Sequence, residues 1–381
     1  MSEPIRVLNV VGRMGAGGIE ALIMNLYRHM DRERVQFDFL THKGSGGIYE
    51  DEIRRLGGRI YEMPVLRQGN RTYYWRVLTY RRALKRFFAA HPEYHVLHGH
   101  MTNLASIYMP IAKKHGRVTC AIAHSHLTQA RPGLSGVVTD LLHRGVPRVA
   151  TDYFACSEMA AHWIFSDADI AAGKVRIIRN GVDPARFCYS RERAQRLRRE
   201  LGLEGRFVMG NVARFKTEKN HAFQLEVLRE VVQMQPDTVL LLVGDGELRP
   251  EIERKARDMG LDGHVRLMGL RQDVPELMAA MDLFLLPSLY EGLPVAGMEA
   301  QAAGLPVVTS TGVTTEMDIT GNVSFLDLQL GAKAWADRIV ELHRTFERKD
   351  TSALIRAGGY DITETAAWLE QFYLTKHEEG A

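Results

Sequence analysis

The sequence predicts an α/β protein built from two doubly wound halves. Short apolar strands alternate with amphipathic helices in units of about 30 residues, the pattern of a parallel sheet covered on both faces. The alternation pauses at residues 175–191, across the turn signals of Asn180-Gly181-Val182-Asp183-Pro184, and then restarts. Charge divides at the same place. Residues 1–180 hold 25 lysines and arginines against 15 acidic residues, and residues 181–381 hold 24 against 31. A basic half joined to an acidic half points to two domains with different tasks. At 381 residues the chain is long enough for two full cores of roughly 100–200 residues each. The boundaries expected are 1–180 and 181–360, with a terminal helix at 361–377 packing back on the first domain.

In the first half, Ile5–Val11 reads as a strand, Gly12–Gly18 as a loop and Ile19–Met30 as a helix. Gln36–Leu40, Arg59–Tyr61, His95–His98, Val118–Ala123 and Tyr153–Ala155 follow as short strands, each flanked by helix-like runs. The second half opens with the strand Phe207–Val212, the helix His221–Met234, the strand Val239–Val243 and the helix Glu247–Met259. His264–Met268, Leu283–Leu286 and Val307–Thr309 continue it as strands. In the segment Asp361–Lys376, the side chains of Trp368, Leu369, Phe372 and Tyr373 share one helical face, which must dock on apolar surface. Doubly wound sheets bind ligands outside the carboxyl ends of their strands, so two of them are expected to offer a cleft there.

Composition narrows the class. Apolar content of 45% and charged content of 25% are those of an ordinary soluble domain. No apolar run approaches the roughly 18 residues of a spanning helix, and Met1-Ser-Glu-Pro-Ile-Arg6 enters a strand directly. Neither a membrane span nor a secretory leader is expected, and a cytoplasmic location is. Cys120, Cys156 and Cys188 are too few and too scattered for a disulfide framework or a thiolate metal site. The basic excess concentrates in Arg67, Arg71, Arg76, Arg81, Arg82, Lys85 and Arg86, interleaved with Tyr73, Tyr74 and Trp75. That stretch is either a solvated helix face or a surface for an anionic membrane. Nucleic acid is not expected as a partner, because no base-stacking platform accompanies the arginines.

Five sites carry chemical potential. Glu291 and Glu299 stand eight residues apart in Leu289-Tyr-Glu-Gly-Leu-Pro-Val-Ala-Gly-Met-Glu299, between a strand and the helix that Pro294 opens. A helix start attracts the anionic part of a ligand, so two acids there suit hydroxyl groups, as in a sugar, or are simply solvated. Gly15, Gly17 and Gly18 form a glycine-rich strand-to-helix turn, allowing close backbone approach or just a tight bend. Its spacing is not the dinucleotide fingerprint. Asn211-Val-Ala-Arg-Phe-Lys-Thr-Glu-Lys219 delivers Arg214 and Lys219 to the carboxyl end of a strand, suited to a diphosphate or to solvent. Gly244-Asp245-Gly246-Glu247 and Gly269-Leu270-Arg271 end the next two strands, with Asp273 as a helix cap. His95, His98, His100, His124 and His126 invite a metal reading. No carboxylate or cysteine stands at ligand spacing beside them, so a histidine contacting a substrate oxygen is preferred, and His124 is the choice.

Taken together, Gly17-Gly18-Ile19-Glu20, His124-Ser-His126, Asn180-Gly181-Val182-Asp183, Arg214-Phe-Lys-Thr-Glu-Lys219, Gly244-Asp-Gly246 and Glu291-x7-Glu299 resemble the family 4 retaining nucleotide-sugar glycosyltransferases of GT-B fold. The likeness runs from Val7 to about Tyr373. Met24-Asn25, Phe37-Asp38-Phe39, Ala123-His-Ser-His126 and Ala155-Cys-Ser157 look like the bacterial capsule and exopolysaccharide branch. Ala213 departs from the glycine usual before the arginine. The resemblance implies a hexosyltransferase using a nucleotide-sugar donor; a UDP-sugar and a glycan or lipid-linked acceptor are expected, and the charge excess of the first half places that acceptor at the inner membrane face. The resemblance also implies that Arg214 and Lys219 hold the donor diphosphate, Glu299 the ribose hydroxyls and Glu291 the transferred sugar. Gly292 and Leu293 join Glu291 in that pocket, Gly244 and Asp245 line it, and the Leu270–Arg271 backbone meets the base. His124 sits near the sugar and its phosphate, and Gly17 and Gly18 lie on the acceptor side. No metal and no further cofactor is implied. The alternatives are a nucleotide-sugar 2-epimerase, which would turn over without acceptor, and a catalytically inactive sugar-nucleotide-binding partner.

Overall fold

The protein's computed structural model describes residues 3–380 apart from 16, 43–45, 65–72, 127–142 and 144, with the backbone alone at 73–76. It divides into two compact units, Met1–Asn180 with Ile362–Ala381, and Gly181–Asp361.

The first unit carries seven strands: β1 Ile5–Val11, β2 Val35–Thr41, β3 Ile60–Glu62, β4 Val96–Gly99, β5 Cys120–Ser125, β6 Asp152–Ala155 and β7 Val175–Ile177. They form one sheet in the order β3-β2-β1-β4-β5-β6-β7, with every pair parallel. Such strands are covered by helices on both faces, which is why they read as continuous apolar runs: Val7, Leu8 and Val10 of β1 are all fully buried.

The second unit repeats the plan with β8 Phe207–Val212, β9 Thr238–Val243, β10 Val265–Gly269, β11 Leu283–Leu286, β12 Val307–Ser310 and β13 Val323–Leu326. Its order is β10-β9-β8-β11-β12-β13, again parallel throughout. In each sheet the order reverses beside the first strand, at β1/β4 and at β8/β11. Loops leaving the two strands diverge there and leave a crevice at their carboxyl ends.

The helix Ile362–Gly380 belongs to the first unit. Its Ile362, Ala366, Leu369 and Tyr373 are buried in one cluster with Tyr27, Phe37 and Phe154. Burying Ile362 and Leu369 alone is worth about 3–6 kcal/mol. Glu370 fixes the docking, accepting from Arg34 at 2.6 Å and from the Asp31 N–H at 2.9 Å.

Two strands escaped the sequence reading. Val175–Ile177, inside the expected pause, pairs with β6 as an edge strand, and β13 extends the second sheet. Arg67 and Arg71 lie outside the described residues, as do the side chains of Tyr73, Tyr74, Trp75 and Arg76. The helix Tyr73–Ala90 buries Tyr80, Leu84 and Phe88 and leaves Arg81, Arg82, Lys85 and Arg86 exposed. All three cysteines are free thiols. No described helix is long and apolar enough to cross a membrane.

Candidate active site

In the second unit, three loops at the carboxyl edge are bound to one another through their backbones. The loop after β8 runs to a 3-10 turn at Thr217–Lys219 and then to Asn220, the only described non-glycine residue with positive φ, at 52°. That left-handed residue, a conformation asparagine tolerates, turns the chain into the helix His221–Met234. Buried Phe215 anchors the loop, stacking on His221 with centroids 4.2 Å apart. Its N–H donates to the Asp245 carbonyl at 3.1 Å, and the Gly244 N–H donates to the Gly269 carbonyl at 2.8 Å. Gly244 has φ of 135°, and a Cβ on it would fall 2.0 Å from the Ala213 carbonyl oxygen. A Cβ on Gly246 would meet Phe215 oxygen at 2.5 Å. Glycine is required at both because backbone lies on backbone.

This architecture delivers Lys219 to Glu291, 72 residues away. The Lys219 ammonium pairs with Glu291 Oε2, and the Ser288 hydroxyl donates to Oε1 at 2.5 Å. The Glu291 backbone N–H donates to Gly312 at 3.1 Å, and the Leu289 N–H donates to Glu218 at 2.8 Å. Glu291 is therefore fixed by both backbone and side chain, with 11% of its side chain exposed against 22% for Lys219. Gly292 and Leu293 connect it to the helix Val295–Ala302, which starts at Pro294 without a side-chain cap. An uncapped start keeps its N–H groups available to an anion. Glu299 lies half-buried in the second turn of that helix.

The remaining expected donor residues are placed differently. Arg214 is exposed and makes no ion pair among the described residues. The Asp245 carboxylate accepts from the Gly246 N–H at 2.8 Å. Leu270 is 55% exposed at the tip after β10. Arg271 is held by Asp273 at 2.7 Å, which raises the guanidinium pKa and lowers that of the carboxylate, each through their mutual hydrogen bonds first. Asp273 is the residue before the helix Val274–Ala280, yet its side chain makes no capping bond, since Arg271 occupies it. The expected cap is thus an ion pair.

In the first unit, Gly17 precedes the helix Gly18–His29, whose Glu20 carboxylate folds back over Gly17. At the ends of β4 and β5 stand four stacked histidines. The rings of His98 and His100 lie 4.2 Å apart, and those of His124 and His126 lie 4.0 Å apart. His98 Nε2 and His124 Nδ1 are 3.0 Å apart, and His100 Nδ1 and His126 Nε2 are 2.9 Å apart. Tyr373 bonds His98 Nδ1 at 2.6 Å. Burial pushes His98 and His126 down to about 3 and His100 and His124 well below the ordinary imidazole value, so all four are neutral near pH 7. Among the described residues, ring nitrogens of His98, His100 and His124 come within 4.8 Å of one another. A cation there would compete with hydrogen bonds these nitrogens already make.

Sequence reasoning missed Ser288 and Tyr373. Ser288 stands three residues before Glu291 with no spacing signal of its own. The pattern of the terminal helix marks Tyr373 as an apolar docking residue, and nothing local announces a partner 275 residues away.

Residues 16–186 match the family model described as Glycosyltransferase Family 4, and residues 206–345 match Glycosyl transferases group 1. EpsF of Bacillus subtilis (strain 168), named as a glycosyltransferase, is 33% identical over 98% of this chain and 97% of its own. A UDP-Gal:alpha-D-GlcNAc-diphosphoundecaprenol alpha-1,3-galactosyltransferase of Escherichia coli is 37% identical over 141 residues, 36% of each chain. The crystal structure of Anabaena HepE in complex with UDP and glucose superposes with a TM-score of 0.75, at 19% identity, over 97% of this chain and 99% of that one. The two parallel sheets are those of the GT-B fold, and the chain belongs to the family 4 glycosyltransferases, alongside the enzymes of bacterial exopolysaccharide and capsule biosynthesis.

Proposed function

We propose that the chain transfers a hexose from a UDP-sugar, with retention of anomeric configuration and without a metal ion, to a lipid-diphosphate-linked polysaccharide precursor. The observation that carries this reading is the Lys219–Glu291–Ser288 constellation beside an uncapped helix start. The activity for which the Escherichia coli relative is named supports the UDP-sugar donor and the diphosphate-lipid acceptor.

In this reading Arg214 and Lys219 take the donor diphosphate, Glu299 the ribose hydroxyls and Glu291, with Gly292 and Leu293, the transferred sugar. Gly244, Asp245 and the Leu270–Arg271 backbone receive the nucleoside, Gly17 and Gly18 the acceptor. His124 contacts the sugar and its glycosidic phosphate. The acceptor oxygen attacks the anomeric carbon as the bond from that carbon to the phosphate oxygen breaks, its electron pair leaving on UDP. Two cations and free helix N–H groups stabilise the charge that develops there, the task a metal ion performs elsewhere. Attack from the face of the departing phosphate gives retention, with the acceptor proton passing to a phosphate oxygen. A double displacement would instead need Glu291 as nucleophile.

The test is UDP release from UDP-galactose and UDP-glucose, with and without a diphospholipid-linked sugar and with EDTA throughout. Acceptor-dependent release supports the reading, and NMR of the product reads its anomeric configuration. Sugar interconversion without acceptor would favour a 2-epimerase, and nucleotide binding without turnover an inactive binding partner. Exposed Arg81, Arg82, Lys85 and Arg86 supply the anionic membrane surface contact. Sedimentation with anionic vesicles should exceed that with neutral ones, and equal binding would remove the membrane role.

A further inference from the structure

Two hydrogen-bond chains run through the four histidines, and the first ends at a ring nitrogen without a partner among the described residues. In the first, the Tyr373 hydroxyl meets His98 Nδ1 at 2.6 Å, and His98 Nε2 meets His124 Nδ1 at 3.0 Å. His124 Nε2 lies at the end, buried and unpartnered. In the second, Asn9 Oδ1 meets His100 Nε2 at 3.3 Å, and His100 Nδ1 meets His126 Nε2 at 2.9 Å.

The direction of the first chain follows from its start. Tyr373 is fully buried in the helix Ile362–Gly380, and His98 is the only described partner of its hydroxyl. A buried O–H without an acceptor is costly, so the hydroxyl donates to His98 Nδ1. A neutral imidazole carries one proton, which in His98 must then sit on Nε2 and be donated to His124 Nδ1. The proton of His124 is thereby confined to Nε2.

We propose that Tyr373 is a positioning residue that, acting through His98, locks His124 as its Nε2–H tautomer, so that His124 offers a substrate oxygen a hydrogen-bond donor and not a base. The role of His124 toward substrate rests on the transferase reading above, while the tautomer rests on this geometry and on neutral rings. Desolvation keeps the rings neutral, which the relay requires. The unpartnered Nε2 is the kind of buried polar atom that a ligand completes. The terminal helix thus contributes to the site as well as to the core, across 275 residues of sequence.

Two-bond ¹H–¹⁵N correlation NMR of the full chain, labelled with ring-¹⁵N histidine, reads the tautomers directly, His98 and His124 being assigned by single substitution. Both should show a protonated Nε2 and an unprotonated Nδ1 at pH 7.5, and a protonated Nδ1 on His124 would overturn the proposal. Added Zn²⁺ should leave both signals unmoved, and a stoichiometric shift would assign the cluster to a cation instead. In turnover, Tyr373→Phe should lower kcat about fivefold, the worth of one neutral hydrogen bond, with the donor KM unchanged. The same substitution in a His124→Ala background should cost nothing further. A fivefold loss in that background would make Tyr373 merely structural. Absence of transferase activity in the unmodified chain, with the tautomers as stated, would refute the function and leave the relay standing.

Discussion

Replacing Lys219 by alanine removes the ammonium that Glu291 holds at the carboxyl edge of the second sheet. The pair is neither on the surface nor fully enclosed, with 22% and 11% of its two side chains exposed. Its contribution to folding therefore lies between the 0–1 kcal/mol of an exposed pair and the roughly 3–5 kcal/mol lost on breaking a buried one. Ser288 still donates to the stranded carboxylate, which holds the expected loss of stability to about 1–2 kcal/mol. Binding should suffer more. An ammonium has three donors, so Lys219 can serve Glu291 and a diphosphate together. Losing one charged hydrogen bond costs about 1.5–3 kcal/mol, which weakens UDP binding by roughly 10- to 150-fold. Calorimetric titration with UDP measures this, with uridine as the control that lacks the diphosphate. An unchanged UDP affinity, or an equal loss for uridine, would refute the assignment of Lys219 to the diphosphate.

The other expectations concern backbone, charge and acidity. Gly244→Ala should lose stability by at least about 1–3 kcal/mol and weaken UDP binding, because φ is 135° and the Ala213 carbonyl blocks a Cβ; an unshifted melt would contradict it. Arg271→Ala should leave both stability and UDP affinity nearly unchanged. Its pair with Asp273 is about one-third exposed, and the proposed contact to the base is made by backbone; a tenfold loss of affinity would transfer that role to the guanidinium. Acid should destabilise the first unit steeply. His98, His100, His124 and His126 stay neutral when folded but titrate near 6.5 when unfolded, so their contribution is complete above pH 6.5 and fades as pH falls toward 3. Each can cost up to about 1.4 kcal/mol per pH unit, and urea midpoints that are flat from pH 7.5 to 5 would contradict their neutrality.

The second sheet was the more legible half. Phe207–Val212 and Leu283–Leu286 occur with the bounds their apolar runs suggest, since each is an almost wholly buried segment, and the helix His221–Met234 has the bounds its amphipathic pattern suggests. The missed strands lack that signal. Val175–Ile177 is three residues long, half-buried at a sheet edge and interrupted by exposed Arg176, while Val323–Leu326 is only half-buried throughout. Local chemistry was legible where a loop follows a strand, which is how Arg214, Lys219 and Glu291 came to attention. What joins them was not, because Lys219 meets Glu291 through tertiary structure. The exposure of Arg214 and the capture of Arg271 by Asp273 likewise depend on neighbours that spacing does not reveal. The histidine pairs were visible as i, i+2 repeats, but their linkage to Tyr373 depends on the docking of a helix from the far end of the chain.

The central question is whether the second unit holds a uridine nucleotide. Thermal melts of the full chain with millimolar UDP, GDP, ADP or NAD test this in one experiment. A ligand at 100 times its Kd adds about 2.7 kcal/mol to the stability of the state that binds it, enough to raise a melting midpoint by several degrees. UDP should raise the midpoint, GDP and ADP less so and NAD not at all, and Lys219→Ala should lose most of the UDP effect, as a uridine-diphosphate site requires. No rise with any nucleotide would contradict it.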